Sequence, residues 1–360
     1  MAPITQQQLL QDFQPHLDLI QAHAERVLGH VLHFVGKNNQ GFLNSPLVKV
    51  FGVLGLVSAA TYLVPALFQR LFHGEQNLKL KYKNAKWGLV TGGSSGIGLA
   101  LVEKLAGQGV NVVVVAYPDS TFTRNFAALV KKYPALQFRA VEVDLSLPNS
   151  AYLPVIQDAT KDLDVQIVFN NAGYIKTGFF CDVSLAEQQK NHTCNATSAM
   201  ELTHWFASQM LKKKLPGCIG FTSSPAGFTP CPFSSLYGAT KAYLTEFACS
   251  IAPELRADGI DVCVVHPSPV ASRFYEGTHK IGVMEFFKGT ATGPEKIAVS
   301  LFQSMGRTVV SDQGYYPLVT RLLLKVFDFN LFADITCRSA SIMPEFTELR
   351  GKKPLSERAL

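Results

Sequence analysis

From residue 85 onward the chain repeats one pattern, a short Val/Ile-rich run followed by a stretch of helix length. The runs are Lys86–Val90, Asn111–Ala116, Gln137–Val143, Val165–Asn170, Cys218–Ser223 and Ile260–His266. Between them lie helical segments near 96–108, 121–133, 148–161, 185–213 and 235–257. Runs that are apolar throughout, instead of alternating with polar residues, belong to strands buried on both faces. The pattern therefore predicts an α/β fold in which a parallel sheet is covered by helices on either side. Right-handed crossovers make that sheet doubly wound and place ligands at the carboxyl ends of its strands.

Composition narrows the class. Of 360 residues, 47% are hydrophobic and 17% charged, too apolar and too weakly charged for a disordered chain. The net charge of +6 comes from scattered Lys and Arg with no dense basic stretch, so nucleic acid is not an expected partner. Seven cysteines, odd in number and without a CxxC pair, fit a reduced, cytosol-facing compartment better than a disulfide framework.

Ahead of the strand–helix repeat, Val50–Phe68 runs for 19 residues without a charge, bracketed by Lys49 and Arg70. About 20 apolar residues cross a hydrocarbon core, and the run begins too far into the chain for an ordinary signal peptide. A transmembrane anchor is expected over 46–72. Lys37 and Lys49 precede it, whereas Arg70, Lys79, Lys81, Lys83 and Lys86 follow, which orients a single-pass protein with its bulk in the cytosol. Within residues 1–45, Leu10, Phe13, Leu17, Ile20, Ala24, Val27, Val31 and Phe34 form a helical apolar stripe, suited to a partner helix or a membrane surface. His16, His23, His30 and His33 border it with no carboxylate or Cys to complete a metal site, so no metal is expected.

Three groups of residues at predicted strand ends carry chemistry. Thr91–Gly98 reads TGGSSGIG between the first strand and the first helix. Its glycines permit close backbone approach to a phosphate, and the helix N-terminus supplies free N–H groups, which together mark a dinucleotide site of the Rossmann type. Tyr237 and Lys241 stand four residues apart at the start of a helix, on one face. An ammonium there favours phenolate, so the phenol can serve as acid or base near neutrality. Ser224, at the end of the fifth strand, either donates to a substrate carbonyl or merely caps the strand end.

Taken together, the stretch from about 85 to 275 resembles the short-chain dehydrogenase/reductase family. Five motifs occur in the family's order: Thr91–Gly98, Asp144-Leu145, Asn170-Asn171-Ala172-Gly173, Ser224, and Tyr237 with Lys241. Asn195 stands where the family keeps a catalytic Asn. The resemblance implies a catalytic tetrad of Asn195, Ser224, Tyr237 and Lys241, with Asn195 holding a water that relays protons from Lys241. It implies cofactor contacts from Gly92, Ser94, Ser95, Gly96, Ile97 and Gly98. Asp144 and Leu145 are then expected near the adenine, Asn171 and Ala172 near its ribose, Tyr237 and Lys241 at the nicotinamide ribose, and Pro267, Val270 and Ser272 at the carboxamide and diphosphate. The sequons at Asn191 and Asn195 fall in the same cytosolic helix, which argues against glycosylation.

Two departures from the family pattern matter. Pro267-Ser268-Pro269-Val270-Ala271-Ser272 carries Ser268 where the family has Gly, and Pro269 restricts Ser268 to extended backbone, so the loop path is open. The acidic residue with which NAD-dependent members grip the ribose 2′-OH is absent, since the second strand ends in Ala116 followed by Tyr117. Asp119 lies three residues too late. NADP(H) is therefore expected, with NAD(H) left open.

The appended segments suggest a lipid substrate. The segment from Phe274 and Tyr275 to Ile281–Phe287 stands where the family builds a substrate lid, its Val283, Met284, Phe286 and Phe287 covering an aliphatic chain or a steroid, or it forms a helix packing on its own core. The segment 315–332 is apolar and aromatic-rich but interrupted by Arg321, Lys325 and Asp328, so it either lies on a bilayer or packs on the catalytic domain. A catalytic domain over 85–310 and a C-terminal segment over 311–360 complete the expected organisation. The layout resembles family members of the endoplasmic reticulum that reduce 3-ketoacyl-CoA, 17-keto steroids or 3-ketosphinganine. Reduction of a ketone on a lipid chain is expected first; a steroid or retinoid alcohol dehydrogenase, or a non-catalytic membrane interaction protein, are the alternatives. The resemblance also suggests homodimerisation through 185–213 and 235–257.

Overall fold

A computed structural model of the chain describes residues 45–270, 272, 274 and 291–350. The N-terminal stripe and the apolar lid residues 283–287 lie outside the described residues. The chain divides into two units, Met1–Tyr62 and Leu63–Leu360. Helix α1 (Pro46–Phe72) runs 27 residues with no residue buried, and an 18-residue stretch within it of mean hydropathy 2.0 makes it long and apolar enough to cross a membrane. Pro65 sits inside it, a residue that apolar surroundings tolerate when neighbouring groups satisfy the freed carbonyl.

The second unit is built on one seven-stranded sheet of order β3-β2-β1-β4-β5-β6-β7, every pair parallel. After the short helix α2 (Leu78–Lys81) come β1 (Trp87–Thr91), α3 (Gly96–Gly107), β2 (Asn111–Ala116), α4 (Ser120–Lys132), β3 (Phe138–Glu142), α5 (Asn149–Thr160) and β4 (Val165–Asn170). The chain continues through α6 (Leu185–His192) and α7 (Ser198–Lys213) into β5 (Gly217–Thr222), α8 (Ser235–Arg256) and β6 (Ile260–Pro267). It closes with α9 (Pro294–Ser304), β7 (Val310–Gln313), α10 (Tyr315–Val326), α11 (Phe329–Ser339) and α12 (Pro344–Arg350). The reversal of strand order between β1 and β4 is a topological switch point, where a crevice opens at the strand ends.

The Val-rich strands work as their pattern predicts, because successive side chains point to opposite faces. Val112 and Val114 of β2 pack with Leu101 and Leu105 of α3 and with Leu301 and Phe302 of α9. Val113 and Val115 pack on the other face with Tyr152 of α5, Phe206 of α7 and Leu244 of α8. Each such side chain, fully removed from water, contributes roughly 1.5–3 kcal/mol. Residues before the first strand join this unit too: Leu78 is fully buried, and the Gln76 amide donates to the carbonyls of Phe302, Gln303 and Met305 at 3.0, 3.1 and 2.8 Å.

Two features depart from the sequence pattern. β7 extends the sheet by a seventh strand; only Ser311 of its four residues is buried, so it carried no apolar run to read. The single helix expected over 185–213 is interrupted by a π turn at Thr193–Thr197. Asn195 lies in the middle of that turn. At the C-terminus, α10 buries Pro317 and Thr320 and packs against β7, while Tyr315, Leu323 and Val326 stay exposed.

Candidate active site

At the carboxyl ends of the strands lies a cavity of about 700 Å³. The Gly-rich loop forms one wall. Gly92 leaves β1 at φ +64°, and an added Cβ there would sit 3.0 Å from the Ala172 Cα. A Cβ on Gly98 would collide with the Gly92 carbonyl oxygen. Only glycine lets α3 start this close under the strand end, which leaves the cradle above the loop open. Ser95 caps α3 with extended backbone and no side-chain bond to it, so the first N–H groups of the helix are not taken by the cap side chain. Asn125 of α4 steadies the loop by donating to the Ser94 carbonyl at 2.8 Å.

Thr91 joins the first and fourth strand ends: its hydroxyl accepts from the backbone N–H groups of Asn171 and Ala172 at 2.9 and 3.0 Å. The Asn171 side chain is occupied internally, donating to the Thr91 carbonyl at 3.2 Å and accepting from Thr222 at 3.0 Å. Asp144 turns the chain after β3 by accepting from the Ser146 N–H at 2.8 Å. Asp119 accepts from the Phe122 N–H at 2.7 Å as the cap of α4.

Opposite the loop stand Ser224, Tyr237 and Lys241, all lining the same cavity. Ser224 does two things at once, since it lines the cavity and its hydroxyl accepts from the Ala226 N–H at 3.2 Å. Tyr237 and Lys241 lie one turn apart in α8, with the ammonium 5.6 Å from the phenol ring centre. Lys241 is 3% exposed and donates to the Thr222 carbonyl at 2.9 Å. Burial, which disfavours the charged form, brings its pKa down to about 8. Gly173 makes room for it, as a Cβ there would sit 3.4 Å from the Lys241 Nζ and 3.1 Å from the Asn195 Oδ1.

Asn195 is fully buried and does not line the cavity. Its Oδ1 accepts from the Tyr174 N–H and its Nδ2 donates to the Tyr174 carbonyl, both at 2.9 Å, bracing the loop after β4. Gly98 likewise lies behind the wall. Ser94, Ser95, Gly96, Ile97, Asp144, Leu145, Asn171, Ala172, Pro267, Val270 and Ser272 all line the cavity. The irregular loop after β6 is explained by Ser268, which is buried: its hydroxyl accepts from the Tyr316 N–H of α10 at 3.2 Å and its N–H donates to the Gln313 carbonyl at 2.8 Å.

Sequence reasoning missed several wall residues, among them Tyr174, Glu187, Lys190, Cys194 and Ser223. Phe274, the first residue of the segment expected as a substrate lid, also lines the cavity, its ring tilted at 54° to the Tyr237 ring with centroids 5.8 Å apart. Lys190 pairs with Glu187 at 3.2 Å one turn apart within α6, and Lys176 joins the same carboxylate at 3.3 Å from the loop before the helix, a contact that no local pattern announces.

A glycine cradle facing a hydroxyl, a phenol and a buried ammonium across one cavity is the arrangement of a dinucleotide-dependent oxidoreductase. The sequence pattern of the short chain dehydrogenases matches residues 86–280, over half of the chain, and the protein belongs to that family. It is 29% identical over 242 residues to the very-long-chain 3-oxoacyl-CoA reductase of Podospora anserina, covering 66% of this chain and 69% of that protein. It is 28% identical over 237 residues to hydroxysteroid dehydrogenase-like protein 1 of Gallus gallus, covering 65% of this chain and 70% of the relative. Among solved structures, a 7β-hydroxysteroid dehydrogenase superposes with a TM-score of 0.64 at 23% identity, covering 73% of this chain and 98% of the other. A Sphingobium yanoikuyae short-chain dehydrogenase in complex with NADPH superposes at 0.56 and 24% identity, covering 63% and 87%. These structures share the fold. Family members use NAD(P), and the cradle of Gly92, Gly96 and Gly98 fits such a dinucleotide.

Proposed function

We propose that this chain is a membrane-anchored, NADPH-dependent reductase of a ketone on a lipid chain, of the 3-ketoacyl-CoA or 3-ketosphinganine type. The observation that carries the reading is the shared cavity: Ser224, Tyr237 and Lys241 face the glycine cradle across about 700 Å³. The printed names of several relatives, very-long-chain 3-oxoacyl-CoA reductases, support the substrate class. When bound, the nicotinamide supplies hydride to the carbonyl carbon. The Tyr237 hydroxyl gives its proton to the carbonyl oxygen, and the Ser224 hydroxyl donates a hydrogen bond to that oxygen where negative charge develops. Lys241, protonated below about pH 8, stabilises the phenolate left behind. Asn195 braces the loop at Tyr174 beside the Lys241 ammonium with both of its side-chain polar groups, and the water relay to Lys241 is the part of its role that rests on the family resemblance.

NADPH is favoured over NADH because no carboxylate stands at Ala116, and Asp119, which also lines the cavity, has one oxygen engaged as the cap of α4. Hydroxyls at Ser94, Ser95 and Thr121 and the phenol of Tyr117 border that end of the cavity. In this reading α1 crosses the membrane of the endoplasmic reticulum once, the catalytic unit faces the cytosol, and the exposed apolar face of α10 rests on the bilayer from which the substrate arrives.

The test follows oxidation of NADPH and NADH in detergent-solubilised membranes containing the full chain, with a 3-ketoacyl-CoA, 3-ketosphinganine and a 17-keto steroid. The expected result is NADPH-dependent turnover of one lipid ketone, reduced by about 10²–10⁴-fold in Tyr237→Phe while NADPH binding, read by fluorescence, is retained. Preference for NADH and an alcohol substrate would move the assignment to a steroid or retinoid dehydrogenase. Binding of NADPH without turnover of any ketone would overturn it.

A further inference from the structure

Behind the Tyr237–Lys241 face runs a line of polar groups, buried at Ser223 and His266 and half-buried at Thr245, that the chemistry proposed above does not use. Ser223, the neighbour of Ser224, donates to the Lys241 backbone carbonyl at 2.6 Å and lies 2.9 Å from the Thr245 hydroxyl. Thr245 in turn lies 2.9 Å from the same carbonyl and 2.9 Å from the His266 Nε2. The His266 Nδ1 lies 2.7 Å from the Asp312 carboxylate, whose other oxygen accepts from the Arg321 Nε of α10 at 3.3 Å. His266 is fully buried, and burial holds its imidazole below the ordinary value and so neutral. A carboxylate at Nδ1 then requires the proton there, which leaves Nε2 an acceptor that shares the single Thr245 hydroxyl proton with the Lys241 carbonyl. The charged and titratable groups facing the ring are Asp312 and Arg321.

Both sides of Ser224 are held by this line. On one side Ser223 is fastened to α8. On the other, Phe228, which follows the turn at Pro225–Gly227, presents its ring edge-on to His266 at 5.1 Å and is covered by the Arg321 guanidinium at 4.1 Å. The strand end that carries Ser224 is joined directly to the helix that carries Tyr237 and Lys241, and groups of β6, β7 and α10 back that joint at Thr245 and at Phe228.

We propose that His266, with Thr245 and Asp312, is a positioning residue of the active site, setting Ser224 against Tyr237 and Lys241 and coupling their alignment to the C-terminal helix α10. This rests on the reductase reading for its kinetic consequence and on geometry alone for the rest. A displacement near 1 Å at a reacting group costs up to about 10²-fold in rate, so loosening the clamp acts on kcat more than on cofactor affinity.

The test starts at the half-buried end, with Thr245→Val, which keeps the side-chain volume and removes the hydroxyl. Phenolate formation at Tyr237 is read without substrate or nucleotide in the full chain, by ultraviolet difference titration of each protein against its own Tyr237→Phe partner. The titration midpoint is expected to rise by about one unit in Thr245→Val and to return in Thr245→Ser. With a turned-over ketone, kcat is expected to fall about tenfold with KM for NADPH within about twofold, and Ser224→Ala is expected to abolish that difference between Thr245 and Val. His266→Gln, which keeps an acceptor toward Thr245, should retain more activity than His266→Leu. An unchanged midpoint in Thr245→Val, or a kcat loss fully additive with Ser224→Ala, would overturn the proposal. Absence of any ketone turnover by the unmodified chain would overturn the reductase reading instead, with the titration still deciding this one.

Discussion

At Gly98 a single missing methyl group decides whether the cradle exists. An added Cβ meets the backbone oxygen of Gly92, which cannot yield without moving the end of β1. Gly98→Ala is therefore expected to weaken NADPH binding at least tenfold and to lower Tm, measured by fluorescence titration and by thermal unfolding. Lys241 shows the opposite economy, since its burial costs stability for the sake of an ammonium at Tyr237. Its pKa falls from 10.5 to about 8 in the folded protein, so between those values the unfolded chain binds more protons. Stability accordingly rises with pH across that window, by about 3 kcal/mol for the single group, and the penalty is present in full below about pH 8. Lys241→Met is expected to remove that rise, seen as a flattened Tm profile between pH 8 and 10.5, and to abolish ketone reduction. In the unmodified chain, reduction should decline as pH passes upward through about 8, because the charge that supports the phenolate is lost there.

Elements differ in how openly their sequences speak. β2, reading NVVVVA, is buried on both faces and was legible as a central strand from residue types alone. β7, with a single buried residue, exists because β6 offers an edge to pair with, and pairing partners are not a local property. The π turn at Thr193–Thr197 was hidden for a similar reason, since its Asn195 is held by the Tyr174 backbone and not by a signal in its own segment. For α10 the sequence left two arrangements open. The structure shows one face, with Pro317 and Thr320, packed on the catalytic unit, while Leu323 and Val326 are 44% and 77% exposed. If that outer face rests on lipid, Leu323→Glu/Val326→Glu should raise KM for a ketone presented in vesicles about tenfold and leave KM for a short water-soluble ketone unchanged.

For the molecule as a whole, α1 and the seven-stranded unit draw on different physics. The unit buries its apolar side chains internally; α1 buries none among its 27 residues. Such a helix is stable where lipid covers it. If α1 anchors the chain in a bilayer as proposed, Leu56→Arg/Val57→Arg, each charge costing roughly 2.5–3.5 kcal/mol at a bilayer centre, should shift the chain from the alkaline-resistant membrane fraction to the extractable one. The fold class and its switch-point crevice were readable from apolar runs, and the glycine turn at Gly92 and the i, i+4 pair Tyr237 and Lys241 from local spacing, whereas Ser224 was singled out through the family resemblance. What the tertiary structure alone decided was how those residues are held. Asn171 is spent on Thr91, Ser268 fastens α10, and His266 meets Asp312 and Thr245 across three elements. The partners in these contacts lie between 21 and 80 positions apart in the chain. A linear pattern carries no record of which distant groups the sheet order will bring within hydrogen-bonding reach.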